Sequence, residues 1–212
     1  MLHNAELIAL MDRGPVLPVV VVDEPEAAVG LARALLAGGV TTLEITLRTA
    51  NALDCVRAVR REVAEMTTGV GTVLDPRQLV AAEAAGAAFA VSPGVSPALL
   101  DAAGESALPL LPGAATPSDV MTLMERGWRA MKFFPAEPAG GVAYLKALAS
   151  PLPQAAFCPT GGIDAGRAAD YLALANVRCV GGSWLAPADA VRDGDWARIT
   201  ELARAAAALP RG

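Results

Sequence analysis

Of the seventeen basic residues in this 212-residue chain, only two are lysines, Lys132 and Lys146. Any amine chemistry therefore has two candidates. Lys132 stands in Trp128-Arg129-Ala130-Met131-Lys132-Phe133-Phe134-Pro135, an apolar stretch ending in two aromatics and a proline. Burying an ammonium is costly, so such a setting favours the neutral amine, the form that attacks a carbonyl. The same placement would also let the side chain snorkel to a rim. Lys146, in Tyr144-Leu145-Lys146-Ala147-Leu148, reads as an exposed helix lysine.

A second constellation is Thr42-Leu43-Glu44-Ile45-Thr46-Leu47-Arg48. In a strand, alternate side chains share a face. Leu43, Ile45 and Leu47 then face one way, and Thr42, Glu44, Thr46 and Arg48 the other. A carboxylate for proton transfer and a guanidinium fork for an anion converge, or the two form a buried structural ion pair. Two turns, Pro159-Thr160-Gly161-Gly162 and Gly181-Gly182-Ser183, are rich in glycine. Glycines let backbone N–H groups approach a phosphate closely, and equally serve plain tight turns. Gly71-Thr72, Ser92-Pro93-Gly94 and Pro112-Gly113 end further apolar runs. Among them, Thr72 could hydrogen-bond a substrate carboxylate.

The elements that must position these residues follow from periodicity. Eight short apolar runs occur, Val16–Val22, Thr42–Leu47, Thr67–Val70, Ala88–Val91, Leu108–Leu111, Ala130–Phe133, Ala155–Cys158 and Arg178–Val180. Their starts recur about every 19–27 residues, the length of one strand, one helix and two short loops. Near-continuous apolar strands separated by helices predict a parallel sheet covered by helices. Eight units in one domain spanning 1–212 predict an α/β fold, a (β/α)8 TIM barrel, with an open doubly wound sheet as the alternative. An extra N-terminal helix, about Ala5–Asp12, precedes the first strand. Glu24-Pro25, Asp75-Pro76 and Thr116-Pro117 open helices that Gly38-Gly39, Gly86 and Gly127 end. A last helix spans about Asp195–Ala207. Polar residues at strand C-termini should then gather at one end of the barrel, where such folds place their sites.

Composition removes several classes of function. The net charge is −5 and the basic cluster Arg57, Arg60, Arg61 fits a solvated helix face, which argues against a nucleic-acid partner. No apolar run reaches the roughly 18 residues of a membrane span. The start, Met1-Leu2-His3-Asn4-Ala5-Glu6, lacks the pattern of a secretory leader. Three widely spaced cysteines, Cys55, Cys158 and Cys179, suggest reduced thiols and a cytoplasmic setting. His3 is the sole histidine, so a histidine-rich metal site is excluded.

Taken together, the chain resembles the 2-keto-3-deoxy-6-phosphogluconate (KDPG) aldolase family, whose members also act as 4-hydroxy-2-oxoglutarate (KHG) aldolases. The matching stretches are Gly14-Pro15-Val16-Leu17-Pro18-Val19, Leu43-Glu44-Ile45-Thr46-Leu47-Arg48-Thr49, Gly71-Thr72-Val73-Leu74 and Ser92-Pro93-Gly94. Lys132-Phe133-Phe134-Pro135-Ala136-Glu137 with Gly140-Gly141, Cys158-Pro159-Thr160-Gly161-Gly162-Ile163 and Gly181-Gly182-Ser183-Trp184-Leu185 complete them. They run in order along nearly the whole chain.

The resemblance implies a class I mechanism in which Lys132 forms a Schiff base and Glu44 is the acid/base. It implies that Arg48 and Thr72 bind the pyruvate carboxylate. Pro93, Phe134, Thr160, Gly161, Gly162, Gly182 and Ser183 would line the substrate and hold its phosphate. The partners it implies are a small keto acid and a phosphorylated aldehyde, with further copies of the chain as a homotrimer. No metal or cofactor is implied, since the iminium replaces Lewis-acid activation. Two rivals would use the same phosphate loops: a phosphosugar isomerase or epimerase, and a non-catalytic phosphometabolite-binding barrel. Neither needs a nucleophilic Lys132.

Overall fold

The computed structural model describes residues 3–212. Met1 and Leu2, the start of the segment read for a leader, lie outside the described residues. The described chain alternates strands and helices. The strands are β1 (Val16–Val20), β2 (Thr42–Thr46), β3 (Thr67–Gly71), β4 (Ala90–Val91), β5 (Leu110–Leu111), β6 (Gly113–Ala114), β7 (Ala130–Phe133), β8 (Ala156–Pro159) and β9 (Val180–Gly182). The helices are α1 (Asn4–Met11), α2 (Pro25–Ala37), α3 (Ala52–Glu62), α4 (Pro76–Ala84), α5 (Pro97–Glu105), α6 (Pro117–Glu125), α7 (Gly141–Ala149), α8 (Ala165–Leu172), α9 (Ala188–Asp193) and α10 (Trp196–Ala207).

Every strand pairing among the described residues is parallel. One curled sheet runs β5-β4-β3-β2-β1-β9 and a second runs β6-β7-β8. The first and last strands of the chain are therefore neighbours, and no strand order reverses as it does in a doubly wound sheet. All five residues of β1 and of β2 are buried, as expected of parallel strands covered on both faces. Leu43 and Ile45 point into the single apolar core beneath the helices.

Two departures from the sequence expectation mark the joints between the sheets. The fifth apolar run is split: β5 pairs with β4, β6 pairs with β7, and Pro112 lies between. Proline has no N–H to donate to a ladder, so the ladder breaks there while its carbonyl still accepts from Lys132 N at 2.8 Å. The final strand sits two residues later than expected. Val177 first bridges Phe157 of β8, and the chain then turns to join β1. A further bridge joins Thr160 to Gly181.

The helix starts are chemically explicit. Proline occupies the first turn of α2, α4, α5 and α6, where its missing N–H costs nothing. Asp75, Ser96, Thr116, Asp164 and Asp195 cap helices with their side-chain oxygens. Around Thr116 the cap is a full capping box, with the Asp119 carboxylate accepting in return from the Thr116 N–H. Where α10 crosses α2, a Cβ on Gly30 would lie 2.6 Å from the Trp196 ring, so only glycine admits this approach. That packing sets the last helix beside the first strand–helix unit, matching β9 beside β1. The short helix α9 was not expected from the sequence.

Candidate active site

The buried polar residues of the described chain include Thr42, Glu44, Thr46, Thr68, Ser92, Lys132 and Thr160, all on strands or at their C-terminal ends. A buried polar group costs free energy unless it is paired, so each needs a reason to be there. A cavity of about 300 Å³ supplies the reason for most of them.

Lys132 and Glu44 form its floor. They are 88 residues apart in sequence, on β7 and β2, and Lys132 Nζ lies 3.4 Å from Glu44 Oε1. Both side chains are almost fully enclosed, at 7% and 1% exposure. Lys132 therefore does not snorkel to solvent, and Glu44 pairs with Lys132 rather than with Arg48. The ammonium also sits 5.3 Å from the centroid of the Phe134 ring, an attractive cation–π contact. On β3 Gly69 pairs with Glu44, and Gly71, which pairs with Thr46, is the position the Glu44 carboxylate reaches, so it must be small. A Cβ on Gly71 would lie 2.0 Å from Glu44 Oε1, so glycine leaves the space in which the carboxylate stands.

Arg48 follows β2 at the mouth. Its Nε donates to Thr46 Oγ1 at 3.0 Å, and the Thr46 hydroxyl donates to the Val20 carbonyl at 2.9 Å. This relay fixes the guanidinium and leaves its terminal nitrogens without an ion-pair partner among the described residues. Thr72 lies across the cavity with φ 62°, and it is the one non-glycine residue with positive φ in the described backbone. A β-branched residue held there is strained by roughly 1–2 kcal/mol. Strain of this kind concentrates where a side chain must be aimed.

The opposite wall is made of backbone. Gly161 and Gly162 have φ 106° and 80°, which disfavours any side chain at either position. Thr160 and Ser183 flank them. The structure gathers Lys132, Glu44, Arg48, Thr72, Pro93, Phe134, Thr160, Gly161, Gly162 and Ser183 around one cavity. Gly182 is set back from it: the Trp184 ring lies so close that a Cβ on Gly182 would meet it at 2.0 Å, and Gly181 lines the cavity instead. Val19, Thr46 and Ile163 also line it without having been singled out. Thr46 was legible, since it shares the Glu44 face of β2. Val19 and Ile163 are apolar and carry no local signal.

Two cationic side chains face one anionic side chain in the lining, a cationic balance inside a chain of net charge −5. Such a cavity favours anionic ligands. It offers a sheltered amine next to a carboxylate, an arginine fork, and a glycine-rich backbone wall. Lys146 is exposed on α7, away from this chemistry.

The sequence model of a family described as KDPG and KHG aldolase matches residues 7–202. The KHG/KDPG aldolase of Escherichia coli K12 is 54% identical over 198 residues, covering 93% of each chain. A Legionella pneumophila KDPG aldolase solved with pyruvate captured as a covalent carbinolamine superposes with a TM-score of 0.93, at 44% identity over 95% of this chain and 98% of that one. A Zymomonas mobilis KDPG aldolase solved with 3-phosphoglycerate gives 0.94, at 42% identity over 99% and 98%.

Proposed function

This chain belongs to the KDPG and KHG aldolase family, and from that premise we propose how its residues divide the work of the reaction. It is a lyase that cleaves a 2-keto acid to pyruvate and an aldehyde through a Schiff base. For KDPG the aldehyde is glyceraldehyde 3-phosphate, and for KHG it is glyoxylate. The observation that carries the assignment of roles is the enclosed Lys132–Glu44 pair at 3.4 Å.

Lys132 Nζ adds as the neutral amine to the C2 ketone, and loss of water gives an iminium. Glu44, directly or through a water, takes the C4 hydroxyl proton. The C3–C4 bond breaks, its electron pair enters the iminium as an enamine, and the aldehyde leaves. A proton returned to C3 gives the pyruvate imine, and water releases pyruvate and free Lys132. Arg48, its Nε held by Thr46, presents its free end to the C1 carboxylate together with Thr72. Pro93 and Phe134 flank the carbon chain. Thr160, Gly161, Gly162 and Ser183 hold the phosphate end, chiefly through backbone N–H groups, with Gly182 set back behind them.

We propose equally that the two sheets are arcs of one closed (β/α)8 barrel forming a single domain over 1–212. Pro112 is a break within its fifth strand, and the bridges from Phe157 and Thr160 join the eighth unit. The enzyme works in the cytoplasm, in keeping with three free, buried cysteines. No described helix is long and apolar enough to cross a membrane. It assembles as a homotrimer, for which the exposed Val21, Leu74, Val80 and Met121 offer apolar contact area.

Borohydride reduction in the presence of pyruvate tests the covalent step. The expected result is one reduced adduct, on the peptide containing Lys132, and loss of both adduct and turnover in Lys132→Ala. Turnover surviving in that variant would sink the mechanism, and an isomerase or a silent binding barrel would give no adduct in the unmodified protein.

A further inference from the structure

Beside the cavity, yet absent from its lining, stands Glu137. It follows β7, and its side chain is three-quarters buried. Both carboxylate oxygens are engaged: Oε2 by the Arg167 guanidinium and Oε1 by the Tyr171 hydroxyl. Arg167 lies in the first turn of α8 and Tyr171 one turn further along it. Tyr171 is fully enclosed, and burial followed by its bond to Glu137 holds the phenol well above its ordinary range, so it stays a donor.

The same residue grips the glycine-rich wall. Glu137 N donates to Gly161 O at 3.0 Å, next to a bond from Ala136 N to Thr160 O at 2.8 Å. Its side chain lies flat on Gly162, where a Cβ would come within 2.8 Å of Glu137 Cβ and 2.9 Å of Cγ. Glu137 thus touches the Thr160–Gly162 turn at one end and, through Arg167 and Tyr171, the helix that follows at the other. A carboxylate so near a phosphate contact would repel the ligand if left free. Here Arg167 and Tyr171 engage both oxygens, and the Glu137 side chain is absent from the cavity lining.

We propose that Glu137 is a positioning residue that sets the shape of the Thr160–Gly162 turn and thereby the preference for a phosphorylated over an unphosphorylated substrate. The inference rests on Gly161 and Gly162 being phosphate contacts. KDPG carries its phosphate two carbons beyond C4, whereas KHG ends one carbon beyond C4 in a carboxylate. Only the former reaches for this turn.

The experiment compares kcat/KM on KDPG with kcat/KM on KHG in Glu137→Gln and Tyr171→Phe. The ratio does not depend on the fraction of folded enzyme, so partial misfolding cannot imitate the effect. Losing one charge-assisted hydrogen bond should lower the ratio about tenfold in Glu137→Gln, mainly through KM for KDPG. Tyr171→Phe should lower it about threefold. A ratio within twofold of the unmodified value in both variants overturns the inference. Inorganic phosphate competition against KDPG in the unmodified protein separates the two readings. If phosphate does not compete, the phosphate assignment of the turn fails and takes this inference with it. If it competes while the variant ratios stay unchanged, only the role of Glu137 fails.

Discussion

The two walls of the cavity solve different physical problems. The proposed keto-acid wall is built from side chains on β2 and β7, and its Lys132–Glu44 pair is enclosed to 7% exposure or less. The proposed phosphate wall is built from the chain after β8 and at the end of β9, and the two glycines after β8, Gly161 and Gly162, are held at positive φ and present backbone. Covalent chemistry needs an amine removed from water and a proton acceptor held against it. Anion recognition needs N–H groups, space, and little else. Strands are rigid enough for the first task, and turns with glycine come close enough for the second. Each wall also has its own support: Thr46 steadies Arg48 from within β2, and Glu137 spans the turn ahead of α8.

If the walls are separable, substitutions should sort by substrate. The largest effect is expected from Glu44→Gln. Steady-state rates on KDPG and KHG should both fall by about 10²–10⁴, the usual worth of a general acid/base, while borohydride still traps some pyruvate adduct. A selective loss on one substrate would break the division. Gly162→Ala should do the reverse. Its Cβ must displace Glu137 and its φ of 80° is strained for alanine, so kcat/KM on KDPG should fall about tenfold with a smaller change on KHG.

Thr46→Val removes the relay to Arg48 and takes the hydroxyl donor away from the Val20 carbonyl. KM for both substrates should rise several-fold, and denaturant unfolding should show a loss of about 1–3 kcal/mol. A remote control completes the series. Asp119→Ala breaks the α6 capping box and should cost about 1 kcal/mol with kinetics unchanged. Burial works against ionisation of Asp119, but bonds from Ala115 N, the Thr116 hydroxyl and Thr116 N outweigh it and hold the carboxyl below its ordinary value. A carboxyl depressed by folding stabilises above its unfolded pKa, and the stabilisation is lost as pH falls through the folded one. The stability gap between the unmodified protein and the Asp119→Ala variant should therefore be full at neutral pH and shrink in acid. A gap independent of pH would assign the cap to shape alone.

Much of this site was legible before folding was considered. The Glu44, Thr46, Arg48 face follows from the period of two in a strand, and Lys132 stands out as a charge in an apolar run. Helix starts such as Thr116-Pro117-Ser118-Asp119 are local chemistry and appear where expected. The split of the fifth strand had a signal too, since Pro112 cannot join a ladder, but an apolar run of 108–111 masks it. The late start of β9 had none, because it depends on when the chain leaves β8 for β1. Glu137 falls in the Lys132–Glu137 stretch that carries the family resemblance, but nothing local says what its carboxylate touches.

Local sequence, then, determined the elements, their faces and the residue types available for chemistry, because propensity, alternation and capping act over a few residues. The tertiary structure alone decided that Glu44 meets Lys132 rather than Arg48. It also decided that Thr72 is held at positive φ, and that Gly71 and Gly162 leave room for two glutamates with different tasks. Those outcomes depend on strand register and on atoms brought within van der Waals contact from distant parts of the chain, and only the packed core sets these distances.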